Sequence, residues 1–482
     1  MKQSKVSTNY LYNVSYQILT FITPIITAPI LARTLGAKNL GIYNYTYSIV
    51  YWFMLFAMMG VNIYGKKEVA KVSNNREKLS EKFSEIFCLQ ILTSVISLII
   101  FYLLFTIFDF RYKTIFLFQG LLIISAGLDI SWLFVGLENF KKTTIRNFII
   151  KIILVLGIIF LIKNQNDLLF YIIFLAVMTI ISQLLLWIGI KKVLDFKFVK
   201  LKRVLPHLKE NFFLFIPSIA TSLYSVFDQT MIGLLYDNVS EVGFYSQAHK
   251  FVNMLLFIVT TIGAVMMPRA VKIRASGDNK KVHELTNFTC KIALYLSIPL
   301  SVGFSCIAPF FIPWFLSADF TKVGYIIPFL SPIIIFISIT NVLGNQYLIV
   351  FDQTKKYTTS VVAGCFINLL LNFILIHKFG AYGAAIASVL TEFTVLVIQY
   401  LFVRKTFDFS GVFSKFIKYF SSALVMGGVV VIIGICFNAN LITNIIQFII
   451  GFIIYILIQF ITKDEIQKFL MGKALQILHI KK

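Results

Sequence analysis

Among the ionisable side chains inside or at the rim of long apolar runs are Arg33, Asp129, Asp228, His249, Lys250 and Glu392. A charge at that depth in a bilayer is expensive, so each is a candidate functional residue. Asp228 falls about seven residues before the end of one apolar run, and Lys250 about five residues after the start of the next. At 1.5 Å of rise per residue, both lie roughly 8–10 Å below the same membrane surface. With His249 beside it, the pair is a candidate anion-binding or gating site. The alternative readings are an ion pair that locks two helices, or a Lys250 that reaches outward to the headgroups. Asp129 and Glu392 fall near the middles of their runs. They are candidates to take up a coupling proton or cation, or else hydrogen-bonded helix contacts. Arg33 ends the first run ahead of Thr34, Leu35 and Gly36, where it presents a cation at a cavity mouth or anchors the interface.

The elements that carry these residues must be membrane helices. Of 482 residues, 58% are hydrophobic and 13% charged, and the mean hydropathy is +0.85, which excludes a water-soluble globular domain. Apolar runs near 10–32, 42–64, 84–108, 114–136, 147–162, 168–190 and 212–235 are followed by a second series near 245–268, 287–315, 323–350, 358–376, 382–403, 419–437 and 444–462. About 14 transmembrane helices are expected. The first run is too long for a signal peptide and is read as a retained span. With both termini cytoplasmic, about 34 of the cations face inward and about 7 outward, as the positive-inside rule requires. The net charge of +23 is then topological, and nucleic acid drops out as a partner.

Catalytic signatures are missing. No phosphate-binding GxxxxGK[ST], HExxH or GxSxG occurs, and no long loop carries paired carboxylates, so the chain is not read as an enzyme. The five cysteines lie in apolar runs without metal-ligand spacing; neither a metal site nor a disulfide framework is expected. Proline occurs at Pro24, Pro29, Pro217, Pro299, Pro328 and Pro332, where bent helices are favoured. The basic segment from Lys191 to Glu210 and a face of Ile466, Phe469, Leu470, Ala474 and Ile477, interrupted by Lys473, both suit the inner leaflet.

The chain also repeats itself. GIYNYTYSIVYWFMLFAMMGVNIYGKKEVAK from Gly41 parallels GFYSQAHKFVNMLLFIVTTIGAVMMPRAVK from Gly243. Two pseudo-symmetric six-helix lobes around a central cavity, with two C-terminal helices, follow from that parallel: an N-lobe at 1–191, a linker at 192–210, a C-lobe at 211–404, and helices 13 and 14 with a tail at 405–482. Such duplication suits alternating access.

Four segments carry a resemblance to a family: LARTLGAKNLGIYNY from Leu31, DISWLFVGLENFKKTTIRN from Asp129, FIPSIATSLYSVFDQTMIGLLYDNVSEVGFYSQAHKF from Phe215, and KKYTTSVVAGCFINLLLNFILIHKFGAYGAAIASVLTEF from Lys355. They resemble the bacterial oligosaccharide flippases, the polysaccharide transporter branch of the multidrug/oligosaccharidyl-lipid/polysaccharide exporter superfamily. That resemblance implies transfer of an undecaprenyl-diphosphate-linked oligosaccharide from the inner to the outer leaflet of a bacterial cell membrane, for surface polysaccharide synthesis. It implies lipid-linked oligosaccharide, membrane lipids, a polymerase and glycosyltransferases as partners. No cofactor is expected, and energy would come from a proton or sodium gradient, the membrane potential or substrate supply. The alternatives are a multidrug or cation antiporter of the same superfamily and a peptidoglycan lipid-precursor flippase.

Overall fold

The computed structural model describes residues 2–479. Lys481 and Lys482, and the side chains of Lys2, Lys5, Pro217, Ala474 and Ile477, lie outside the described residues. In chain order the α-helices are α1 (Lys2–Met58), α2 (Val61–Val72), α3 (Arg76–Ile107), α4 (Lys113–Gln119), α5 (Leu121–Leu128), α6 (Ser131–Gly136), α7 (Phe140–Leu161), α8 (Leu168–Trp187), α9 (Leu201–Ser225) and α10 (Phe227–Leu235). There follow α11 (Ser240–Ala275), α12 (Asn279–Phe315), α13 (Thr321–Leu330), α14 (Pro332–Asn341), a π-helical turn at Val342–Leu348, α15 (Thr354–Phe379), α16 (Ala381–Val403), α17 (Ser410–Cys436), α18 (Leu441–Ile461) and α19 (Glu465–His479). Among the described residues no strand is present. The protein is an all-α, multi-span membrane protein.

Eleven described helices are long and apolar enough to cross a bilayer, or up to twelve with one bent pair taken as a span. The expected fourteen is not reached on this measure. The runs near 10–32 and 42–64 are joined in α1, where only Gly36 leaves the helical conformation, with φ 76° and ψ 173°. A glycine adopts that positive φ without a side-chain clash. The run near 212–235 is split at Val226 into α9 and α10. The run near 114–136 is three short helices, and α13 and α14 meet at a 42° bend. Pro332 opens α14, and the Ser331 carbonyl at the bend accepts from the Ser301 hydroxyl at 2.9 Å. Pro24, Pro29, Pro299 and Pro328 instead stay inside their helices.

The chain forms two compact units that divide after Gly243. This is a division by compactness, a different property from the repeat behind the lobes at 1–191 and 211–404. In the first unit α9 packs on α2 and α3, and α10 on α1. Its core gathers Phe83, Ile86, Trp132, Leu133 and Leu186, all fully buried. The break between α5 and α6 in this core is tolerated because Gln90 satisfies the freed backbone groups. Its Nε2 donates to the carbonyls of Ala126 at 2.9 Å and Asp129 at 2.8 Å, while its Oε1 accepts from Trp132 Nε1 at 3.0 Å.

The segment leading into α9 is tied down the same way. Ser80 and Ser84, one turn apart on α3, accept from the backbone N–H groups of Asp195 at 2.9 Å and Lys197 at 3.1 Å. Lys197 reaches Glu77 and Glu81, and Phe196 packs on Trp187. In the second unit α12 packs on α13 and α17, α15 on α16, and α17 on α18.

Candidate functional site

The second unit holds three of the six sequence candidates on two helices. On α11, Tyr245 and His249 are four residues apart and share a face. Their rings stack with centroids 5.7 Å apart, and Asn253, one turn further, places Nδ2 3.1 Å from His249 Nδ1. The buried Tyr245 hydroxyl lies 3.0 Å from Ser388 Oγ on α16, and Ser388 donates to the Ala384 carbonyl at 2.9 Å. Glu392 is half-buried one turn beyond Ser388 on α16. His249 and Glu392 thus sit on the two helices that the Tyr245–Ser388 bond joins.

Lys250 is exposed and makes no salt bridge among the described residues. It lies ten residues into α11, roughly 15 Å along the helix at 1.5 Å per residue. A cation so placed can hold an anion by charge-assisted hydrogen bonds. Elsewhere in the same unit, an apolar cavity of about 300 Å³ opens between α11, α12, α17 and α18, lined by residues such as Leu255, Leu300, Phe304, Phe448 and Phe452.

The other three candidates lie in the first unit. Asp228 is buried in the first turn of α10, just after the break at Val226, where the helix N-terminus favours a negative charge. Asp129 stands at the end of α5, and its carboxylate accepts from the backbone N–H of Ser131 at 2.8 Å, bridging into α6. Arg33 is exposed on α1, three residues before the Gly36 break.

Two charged clusters escaped the sequence reading. His207 on α9 is buried between Tyr64 of α2 and Glu85 of α3: its Nδ1 lies 2.6 Å from the Tyr64 hydroxyl and its Nε2 3.0 Å from Glu85 Oε2. Lys82 reaches the same carboxylate oxygen at 2.9 Å. The available signal was the spacing of Val204, His207, Asn211 and Phe215, which form the buried stripe of α9. The second cluster surrounds Asp464, at the joint between α18 and α19. Its wholly buried carboxylate meets Lys415 at 2.6 Å, Lys418 at 3.0 Å and the Tyr419 hydroxyl at 3.0 Å. Burial pushes this carboxyl up, but the hydrogen bonds from the two lysines outweigh it and hold the group down at about 2.

Broken apolar helices carrying ionisable groups along their length define a multi-span membrane protein. The family described as polysaccharide biosynthesis protein matches residues 6–274, more than half of the chain, and the chain belongs to it. It is similar to the "Putative O-antigen transporter" of Escherichia coli (strain K12), with 27% identity over 414 residues, covering 82% of this chain and 96% of that protein. Its fold is that of the lipid II flippase MurJ in an inward closed conformation, with a TM-score of 0.76 at 18% identity, covering 94% of this chain and all of that one. An inward-facing multidrug resistance MATE family transporter of the MOP superfamily shares the fold at a TM-score of 0.60 and 11% identity, covering 81% of this chain and 94% of the other. The family resemblance carried by the four sequence segments is borne out.

Proposed function

We propose that the protein is a flippase that moves an undecaprenyl-diphosphate-linked oligosaccharide from the cytoplasmic to the outer leaflet of a bacterial cell membrane by alternating access. The observation that carries this reading is Lys250, an exposed cation within α11 with no salt bridge among the described residues. A diphosphate is the ligand whose charge this side chain complements, and in a medium of low dielectric the attraction is strong. The apolar cavity beside α17 and α18 suits an isoprenoid chain. A cation exporter would ask for a carboxylate where Lys250 stands. Family membership and the name of the Escherichia coli relative support export for surface polysaccharide synthesis. On this reading a polymerase and glycosyltransferases act on either side of the step, and the distribution of Lys and Arg in the sequence supports cytoplasmic termini.

In cells whose own copy is depleted, the wild-type chain should restore surface polymer, and Lys250→Ala should lower it at least about tenfold, the loss that accompanies removal of one charge-assisted contact. Full polymer export by a normally expressed Lys250→Ala protein would remove Lys250 from the reading.

A further inference from the structure

The first unit holds a buried imidazole whose two nitrogens are both engaged, on a helix that no transport role has so far touched. His207 joins three helices at one point: Tyr64 of α2, Glu85 of α3 and its own α9. The ionised carboxylate can only accept, so Nε2 carries the hydrogen toward Glu85, and in the neutral ring Nδ1 accepts from the Tyr64 hydroxyl. A proton added to the ring goes to Nδ1. That nitrogen then donates to the Tyr64 oxygen, and the tyrosine hydrogen must turn to another acceptor. The charged groups facing the triad are Glu68 from α2, Lys82 from α3 beside Glu85, and Glu210 from α9. Glu68 is itself paired with Lys71 at 2.6 Å. Glu210 lies within hydrogen-bond reach of the Tyr64 hydroxyl and can receive the tyrosine hydrogen, while the negative charge of Glu68 helps offset the added proton. One turn along α9, Asn211 is fully buried with neither its Nδ2 nor its Oδ1 hydrogen-bonded to a described residue. The Asn211 backbone carbonyl sits against Gly60, whose φ of 81° opens α2.

We propose that Tyr64, Glu85 and His207 form a proton-binding site that fastens α9 to α2 and α3 more tightly when occupied, the point at which a proton gradient acts on the transport cycle. Imidazole is the side chain that changes charge near neutral pH; a charged ring makes the bond to Tyr64 charge-assisted and sets a full positive charge against the Glu85 carboxylate. The assignment of this proton to transport rests on the flippase reading, but proton binding itself does not, so it is tested without substrate.

The full chain in lipid nanodiscs, with ¹³C-labelled histidine, is titrated from pH 8 to pH 5, the His207 signal being the one lost in His207→Gln. Backbone hydrogen exchange of α9, corrected for its intrinsic pH dependence, is followed in parallel. The His207 signal should change charge state over this range, and α9 exchange should slow about fivefold toward pH 5 in the wild type but not in His207→Gln, the scale of a neutral hydrogen bond becoming charge-assisted. Tyr64→Phe, which keeps ring and carboxylate, should at least halve the effect and serves if His207→Gln does not fold. A His207 signal unchanged between the two pH values, or a pH effect on α9 undiminished in either variant, overturns the proposal.

Discussion

Gly41→Ala should strongly destabilise the protein, while Gly428→Ala is tolerated. A Cβ on Gly41 would lie 2.1 Å from the Val239 carbonyl oxygen and 2.8 Å from its carbon, and both are backbone atoms that cannot swing aside. Gly243 answers from the first turn of α11, where a Cβ would lie 2.7 Å from the Ala37 carbonyl oxygen and 3.0 Å from the Gly41 nitrogen. Helices in lipid associate through such small-residue contacts because no hydrophobic force draws them together. Overpacking costs about 1–3 kcal/mol where side chains can yield, and here none can, so the upper end or beyond is expected. Gly428 on α17 has nothing within 4 Å of its would-be Cβ, so alanine there should be neutral or slightly stabilising. Thermal unfolding of the purified variants in detergent, with expression level alongside, checks both. A Gly41→Ala protein as stable as wild type would contradict the close approach.

Asp464→Ala should detach α19 from the second unit. The carboxylate accepts from Lys415, Lys418 and Tyr419 and from the backbone N–H groups of Ile466 at 2.9 Å and Gln467 at 3.3 Å, so it both pairs two lysines and caps the helix. Removing one partner of a buried ionic network leaves charges uncompensated, at a cost of about 3–5 kcal/mol. The pH dependence follows from the depressed value of about 2. A carboxyl held below its ordinary range contributes stability that is complete above that range and is lost as pH falls through it toward 2. Limited proteolysis of α19 should thus begin in the wild type only below about pH 4. In Asp464→Asn it should occur at neutral pH and lack this acid step. Equal resistance of the variant at pH 7 would contradict the assigned role.

Much of the architecture was legible because lipid writes it into hydropathy. Long apolar runs such as 358–376 and 382–403 correspond to α15 and α16, since nothing but a helix satisfies the backbone there. The breaks were not legible. Gly36, Val226 and the Leu128–Ser131 step change the chain direction inside apolar sequence, where hydropathy carries no record of φ and ψ. The parallel between Gly41 and Gly243 was read as a repeat, and the structure shows the two glycines touching. Among site residues, the stacking of His249 on Tyr245 follows from i, i+4 spacing on α11. Glu85 and His207 are 122 residues apart, and His207 stands in a basic segment read as a membrane-surface loop. Asp464 lies beside Lys463 and Glu465, in what looks like a solvated helix end. In both clusters the partner is supplied by tertiary packing, which no local pattern encodes.

The central claim is that this protein carries a lipid-linked oligosaccharide across the membrane, and its most direct test is where that intermediate resides when the protein is withdrawn. An impermeant sugar-modifying reagent, applied to intact cells and to inside-out vesicles after depletion, reports the leaflet, and mass spectrometry identifies the trapped lipid. The account predicts that undecaprenyl-diphosphate-linked oligosaccharide accumulates where only the inside-out vesicles expose it, while surface polymer falls. Intermediates that still reach the outer face at the normal rate in depleted cells would contradict it.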